Sequence, residues 1–244
     1  MSYIEGFVTP VPSANKEAYR KHAESATAMF KDLGATRLYE GWGDDVPDGK
    51  QTDFKRAVQA KADETVLFSF IEYPSKEVRG AANKRMMDDP RMEDMAKDMP
   101  FDGMRMIWSG FSPILDKGEA GKGRYLDGFV APIPAGNEQA YRDLAEVGAQ
   151  VFTEYGATRV VETFGDDVMD GKVTDYKKAI EARDGETIAY SWIEWPDKDT
   201  RDAGWKKVME DPRMQPGDKP MPFDGKRMIY GGFATLVDSL GGMA

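Results

Sequence analysis

Apolar positions change period several times along the first hundred residues, and each change marks an element. Residues 3–9, YIEGFVT, read as a strand that Pro10 and Pro12 end. Tyr19, Ala23, Ala26, Phe30 and Leu33 then recur at helical spacing and form one stripe. Asn15 suits the N-cap of that helix, because its side chain accepts from unpaired backbone N–H groups. Gly34 suits a left-handed position after its end. Residues 35–42 read as a second strand. Residues 65–73 read as another with few polar breaks, so both of its faces are expected to be covered. Pro74 precedes a second helix near 75–88, capped by Ser75 and limited by Pro90, and residues 105–111 give the last strand.

The same pattern then runs again. Tyr125-Leu126-Asp127-Gly128-Phe129-Val130 repeats Tyr3-Ile4-Glu5-Gly6-Phe7-Val8 at an offset of 122 residues, and the offset holds without a gap to Asp116 and Asp238. About half of the paired positions are identical. Two domain-sized copies are not a solenoid, which needs at least three short units. The expected organisation is a first domain over 1–116, a linker over 117–124 and a second domain over 125–244. The linker, KGEAGKGR, is rich in Gly and charge and reads as flexible. Fully extended it reaches roughly 26 Å at about 3.3 Å per residue, which keeps the halves close enough to pack.

Residues 53–61 fit two periods. Phe54, Ala57 and Val58 suit a helix, yet Asp184-Gly185 in the second copy is a hairpin signal, and this favours a strand. Each half then reads β-α-β-(β)-β-α-β, an α+β plan with two helices on one face of a sheet. The other sheet face needs a cover, and the second half is the obvious one.

Composition narrows the chemistry. The chain has no cysteine and one histidine, His22. Thiolate nucleophiles, disulfides, cysteine zinc sites and multi-histidine metal sites within one chain are excluded, and no cofactor is expected. The net charge of −10 repels a phosphate backbone, so nucleic acid is not expected as a partner. The apolar run VLFSFI at 66–71 falls far short of the roughly 20 residues of a membrane span. With no secretory signal visible, a cytoplasmic location is expected.

The segment "GDDVPDGK" at 43–50 returns as "GDDVMDGK" at 165–172. A calcium loop begun at Asp44 would need oxygen ligands where Val46 and Lys55 stand, so the pattern fails. Val46-Pro47-Asp48-Gly49 has turn chemistry instead, with Gly49 expected at positive φ. His22 is matched by Leu144, which argues against catalysis by that imidazole. Trp42, Trp108, Trp192 and Trp195 face Phe164, Tyr230, Phe70 and Tyr73 in the other copy, so aromatic bulk recurs and the indole does not. Trp205, opposite Asn83, is the exception.

Charged residues on expected strands are the remaining candidates. Arg37, Glu40, Glu72 and Arg105 recur as Arg159, Glu162, Glu194 and Arg227. Burial of such groups demands pairing. They form structural ion pairs across a seam, or they line a pocket for a polar small molecule. Strand alternation puts Arg37 and Glu40 on opposite faces.

The motif set resembles a known family. Gly-Phe-Val near the start, "GDDVPDGK", "FSFIEYPS" at 68–75, "DPRM" at 89–92 and "MPFDGMRMIWSGF" at 99–111 look like the YbaA-like domain of unknown function, and the second half fits as well. The resemblance implies a ferredoxin-like fold of the dimeric α/β-barrel superfamily, with two sheets packed face to face and pockets between sheet and helices. Family members usually carry one domain and pair as homodimers. Two fused copies imply a pseudo-dimer within one chain, which could pair again through another surface. The family carries no established activity. The expected function is a small-molecule-binding barrel, with metal-free carboxylate chemistry on Glu40 or Glu72 if it is an enzyme. The alternative is a non-catalytic interaction or stress-associated module, marked by an apolar patch around Trp205. An RNA-related label attached to some members gains no support from the acidic charge.

Overall fold

In the first half, strands β1 (Tyr3–Pro12), β2 (Arg37–Asp45), β3 (Glu64–Tyr73) and β4 (Ile107–Gly118) alternate with helices α1 (Lys16–Asp32), α2 (Phe54–Ala57), α3 (Lys76–Met87) and α4 (Pro90–Lys97). The second half supplies β5 (Tyr125–Ile133), α5 (Glu138–Glu154), β6 (Arg159–Asp167), α6 (Tyr176–Ala179), β7 (Thr187–Trp195), α7 (Lys198–Glu210) and β8 (Ile229–Asp238). This computed structural model describes residues 2–215 and 220–241.

All eight strands join in one closed antiparallel barrel, in the order β1-β3-β2-β8-β5-β7-β6-β4. Each half contributes four neighbouring strands. The halves meet at two seams, β2 with β8 and β4 with β6, each with register shifts. Closure removes the free edges that either sheet would expose alone. The expected cover of the second sheet face is therefore the other half, and the strands go further by pairing edge to edge.

Period-2 alternation sorts the side chains. Phe68, Phe70 and Glu72 of β3 point inward, as do Tyr190, Trp192 and Glu194 of β7. Phe68 stacks on Tyr190 at 4.5 Å and Phe70 on Trp192 at 4.1 Å between ring centres. These are equivalent positions of the two copies, so they face each other across the pseudo-twofold axis. The outward-facing residues of β2 and β3, Leu38 and Ile71, pack instead under α1 and α3 with Met29, Leu33 and Ala82.

Several expectations need correction. Residues 53–61 hold the short helix α2, not a strand. Phe54, Ala57 and Val58 at helical spacing enter the barrel core, and Asp53 caps the helix by accepting from the Arg56 amide at 2.7 Å. In the second copy Thr174 donates to the Ala57 carbonyl at 2.5 Å, so α2 and α6 pack together and plug one barrel end. Asp184-Gly185 does form a turn, with Gly185 at φ +80°, but it joins α6 to β7. Asn15 and Asn137 make no cap bond. Their side-chain amides donate to the carbonyls of Pro100 and Pro222, tying the "MPFDG" segments to the helix starts. Gly34, by contrast, takes the left-handed conformation expected of it, at φ +101°. The linker is not free chain. Lys117 and Gly118 continue β4 against β6, and the Arg124 amide donates to the Trp195 carbonyl at 2.9 Å.

Candidate functional site

Glycine at 49 is required by close approach rather than by positive φ, because a Cβ there would overlap the Thr52 carbonyl oxygen. The preceding carboxylates are clasps between halves. Asp44 accepts from Tyr125 at 3.0 Å and from Lys198 at 2.5 Å, while Arg201 reaches Asp45 at 2.9 Å. The mirror set joins Asp166 to Tyr3, Ser112 and Lys76, and Asp167 to Arg79. Among the described residues no cluster of three or more His, Cys, Asp or Glu could hold a metal ion.

The strand charges divide by the face they occupy. Arg37 points into the barrel, at the end away from the α2–α6 plug. Its guanidinium forks onto Glu194, with Nη1–Oε1 at 2.7 Å and Nη2–Oε2 at 3.0 Å, and onto Asp238, with Nε–Oδ1 at 3.0 Å and Nη2–Oδ2 at 2.8 Å. Arg159 does the same to Glu72 and Asp116. Every one of these bonds crosses between halves. The four-residue cluster of Arg37, Glu72, Arg159 and Glu194 is buried and lines neither of the two cavities between sheet and helix. Arg105 and Arg227 lie in the turns before β4 and β8, not on strands. Arg105 forks onto Glu64 at 2.6 Å and donates to the Gln59 carbonyl at 2.9 Å, and Arg227 repeats this with Glu186 and Glu181. They fasten the chain after each plug helix, where Gln59 and Glu181 hold positive φ.

Glu40 and Glu162 face the other way, toward α1 and α5, as alternation requires. Each sits on the floor of a cavity between sheet and helix. Tyr141 donates to Oε2 of Glu162 at 2.6 Å, and Ser191 donates to the same oxygen. Tyr19 and Ser69 do so to Glu40. Desolvation by the surrounding apolar side chains pushes Glu40 up to about 7, against the pull of the Ser69 and Tyr19 hydrogen bonds. Glu162 is raised for the same reason. Glu40 can therefore hold or release a proton near neutral pH, and in both halves the hydroxyl partners fix the carboxyl's orientation.

The two cavities differ in size. The one in the first half has a volume of about 180 Å³ and the one in the second about 600 Å³. In the first, Met92 and Met95 of α4 close over the space, and His22 packs edge-on to Phe101 at 5.9 Å, with burial lowering its pKa. In the second, Leu144 replaces His22 and Gly148 replaces Ala26; a Cβ at Gly148 would meet nothing within 4 Å. Gln215-Pro216-Gly217 stands where Glu93-Asp94-Met95 builds α4. Among the described residues the second copy has a 3-10 turn, Pro212–Met214, where α4 begins in the first.

Sequence reasoning singled out Glu40 and Glu162 but missed their partners. Tyr19 and Tyr141 read as stripe residues, and Ser69 and Ser191 stood unremarked within apolar strands. A serine kept in both copies amid aromatics was the available signal. Trp205 lines the larger cavity and donates to Asp127 at 2.7 Å, so it does not form an exposed patch.

The closed eight-stranded barrel with helices outside and a carboxylate-floored cavity in each half defines an α/β-barrel protein of the dimeric type, here formed by one chain. The family described as "Protein of unknown function (DUF1428)" matches residues 2–103 and again 124–225, and the chain belongs to it as a tandem duplication. The "Uncharacterized protein YbaA" of Escherichia coli K12 is 56% identical over 117 residues, which is 48% of this chain and all of that protein. Among solved structures, a "putative monooxygenase" from Fusobacterium nucleatum superposes with a TM-score of 0.57 at 10% identity, covering 97% of this chain and 93% of its own. Another so described, from Lactobacillus acidophilus, gives 0.58 at 8% identity, covering 98% and 97%. At that identity the likeness is one of fold. No helix among the described residues is long and apolar enough to cross a membrane.

Proposed function

We propose that this chain is a fused pair of ferredoxin-like units that binds a small molecule in the second-half cavity, with Glu162 as the polar group that orients it. The observation that carries the reading is the divergence of the two copies. Sequence changes at two places, His22 to Leu144 and Ala26 to Gly148, subtract polarity and bulk from the space that these residues line. A volume of about 600 Å³ lies within the ~300–1,000 Å³ typical of ligand pockets, whereas 180 Å³ falls below it. Chemistry, where present, would be proton transfer at Glu162. Glu72 is committed to Arg159 and is not a candidate. Arg37, Arg105, Arg159, Glu194 and Arg227 are read as structural.

The test is fluorescence titration with the neutral dye N-phenyl-1-naphthylamine. Saturable binding of one dye per chain is expected, with loss on Gly148→Phe, which fills the cavity. Absence of saturable binding, or binding unchanged in a folded Gly148→Phe protein, would remove the proposal.

A further inference from the structure

The larger cavity offers a ligand few polar contacts, and their arrangement is selective. Oε2 of Glu162 already accepts from Tyr141 and Ser191. Oε1 takes no hydrogen bond from any described residue, so it is the free acceptor on the floor. The walls are apolar, with Leu144, Phe152, Trp205, Phe223 and Met228 among them. Arg213 is the cation among the described lining residues, and it is forked onto Asp211 and Glu154 at 2.7 and 2.6 Å.

Resting on the reading that this cavity takes a small molecule, we propose that its ligand is a neutral, mainly apolar molecule that presents one O–H or N–H donor to Oε1 of Glu162. An anion would meet no uncommitted cation among the described lining residues and would face the carboxylate. An ammonium brings three donors to a floor with one free carboxylate oxygen, and its desolvation in an apolar space exceeds what one ion pair returns. With Glu162 ionised, as the two hydroxyl donors on Oε2 favour, a molecule with no donor would leave Oε1 unpaired, which costs free energy. A single neutral donor on an apolar frame satisfies the floor, while at the cavity's edge the polar Asp143 accepts from Gln139 and Gln215 donates to the Met209 carbonyl.

The experiment is displacement of bound N-phenyl-1-naphthylamine from the intact chain by four molecules of one frame: 2-naphthol, 2-methoxynaphthalene, 2-naphthoate and 2-naphthylmethylammonium. The naphthol is expected to bind at least about tenfold more tightly than the methyl ether and than either ion. In Glu162→Gln, Tyr141 and Ser191 keep the amide oxygen and the amide N–H turns to the ligand, so the preference for naphthol over its ether should fall to within about twofold. The ranking in the unaltered protein decides the matter even where that variant does not fold. Equal binding of naphthol and ether, tightest binding by either ion, or a naphthol that displaces nothing overturns the inference while dye binding stands. A chain that binds no dye at all fails the underlying reading instead.

Discussion

Replacing Arg37 by methionine tests the claim that the inward charges hold the two halves together. The guanidinium makes four hydrogen bonds of 3.0 Å or less, two to Glu194 and two to Asp238. The three side chains are only 1–2% exposed. Methionine fills much of the same volume but removes the fork that Glu194 and Asp238 share, leaving Glu194 with Arg159 at 3.5 Å. Removing one partner of a buried ion pair costs about 3–5 kcal/mol, because the charge left behind stays desolvated. That is a large share of the roughly 5–15 kcal/mol by which a folded protein is stable. Urea unfolding, which adds no salt to screen the charges, should show a single transition whose midpoint falls accordingly. The loss at pH 8 should exceed the loss at pH 5, since protonation neutralises the orphaned carboxylates in the variant. A cost under about 1 kcal/mol, or one that is equal at both pH values, would refute the argument that these charges are paired by burial.

Further outcomes follow from the cavities and the plugs. Glu40 is raised from 4.5 to about 7 in the folded protein, so the folded state holds the extra proton between those values and stability falls as pH rises through that window. Glu40→Gln should abolish this contribution, gaining on the unaltered protein by up to about 3 kcal/mol between pH 4.5 and 8, less what water in the cavity screens; unfolding midpoints across that range would show it. Gly148→Ala should raise stability by about 0.5–1 kcal/mol, because the helix gains propensity and the added methyl meets open space; a loss in thermal unfolding would count against the cavity. Gly49→Ala should cost about 1–3 kcal/mol in the same measurement, since its Cβ collides with the Thr52 carbonyl beneath the α2 plug.

Much of this protein was legible in its residue order, because the signals are local. A run with few polar breaks at 65–73 and period 3.6 from Tyr19 to Leu33 located strand and helix. The constant offset exposed the duplication, and alternation alone placed Arg37 and Glu40 on opposite faces. Other features depend on partners far along the chain. Arg105 meets Glu64, and Arg37 meets Asp238, at separations of 41 and 201 residues that no window spans. Phe54–Ala57 are helical because α6 packs on α2 in the barrel mouth, and that contact outweighs a turn signal which was itself correct. Cavity size was decided by packing as well. The exchange of His22 for Leu144 is visible in the aligned copies, but only the space above Glu162 shows what such exchanges leave open. Short-range sterics and periodicity are written in neighbouring residues, whereas burial and charge pairing arise only when the closed barrel brings distant residues together.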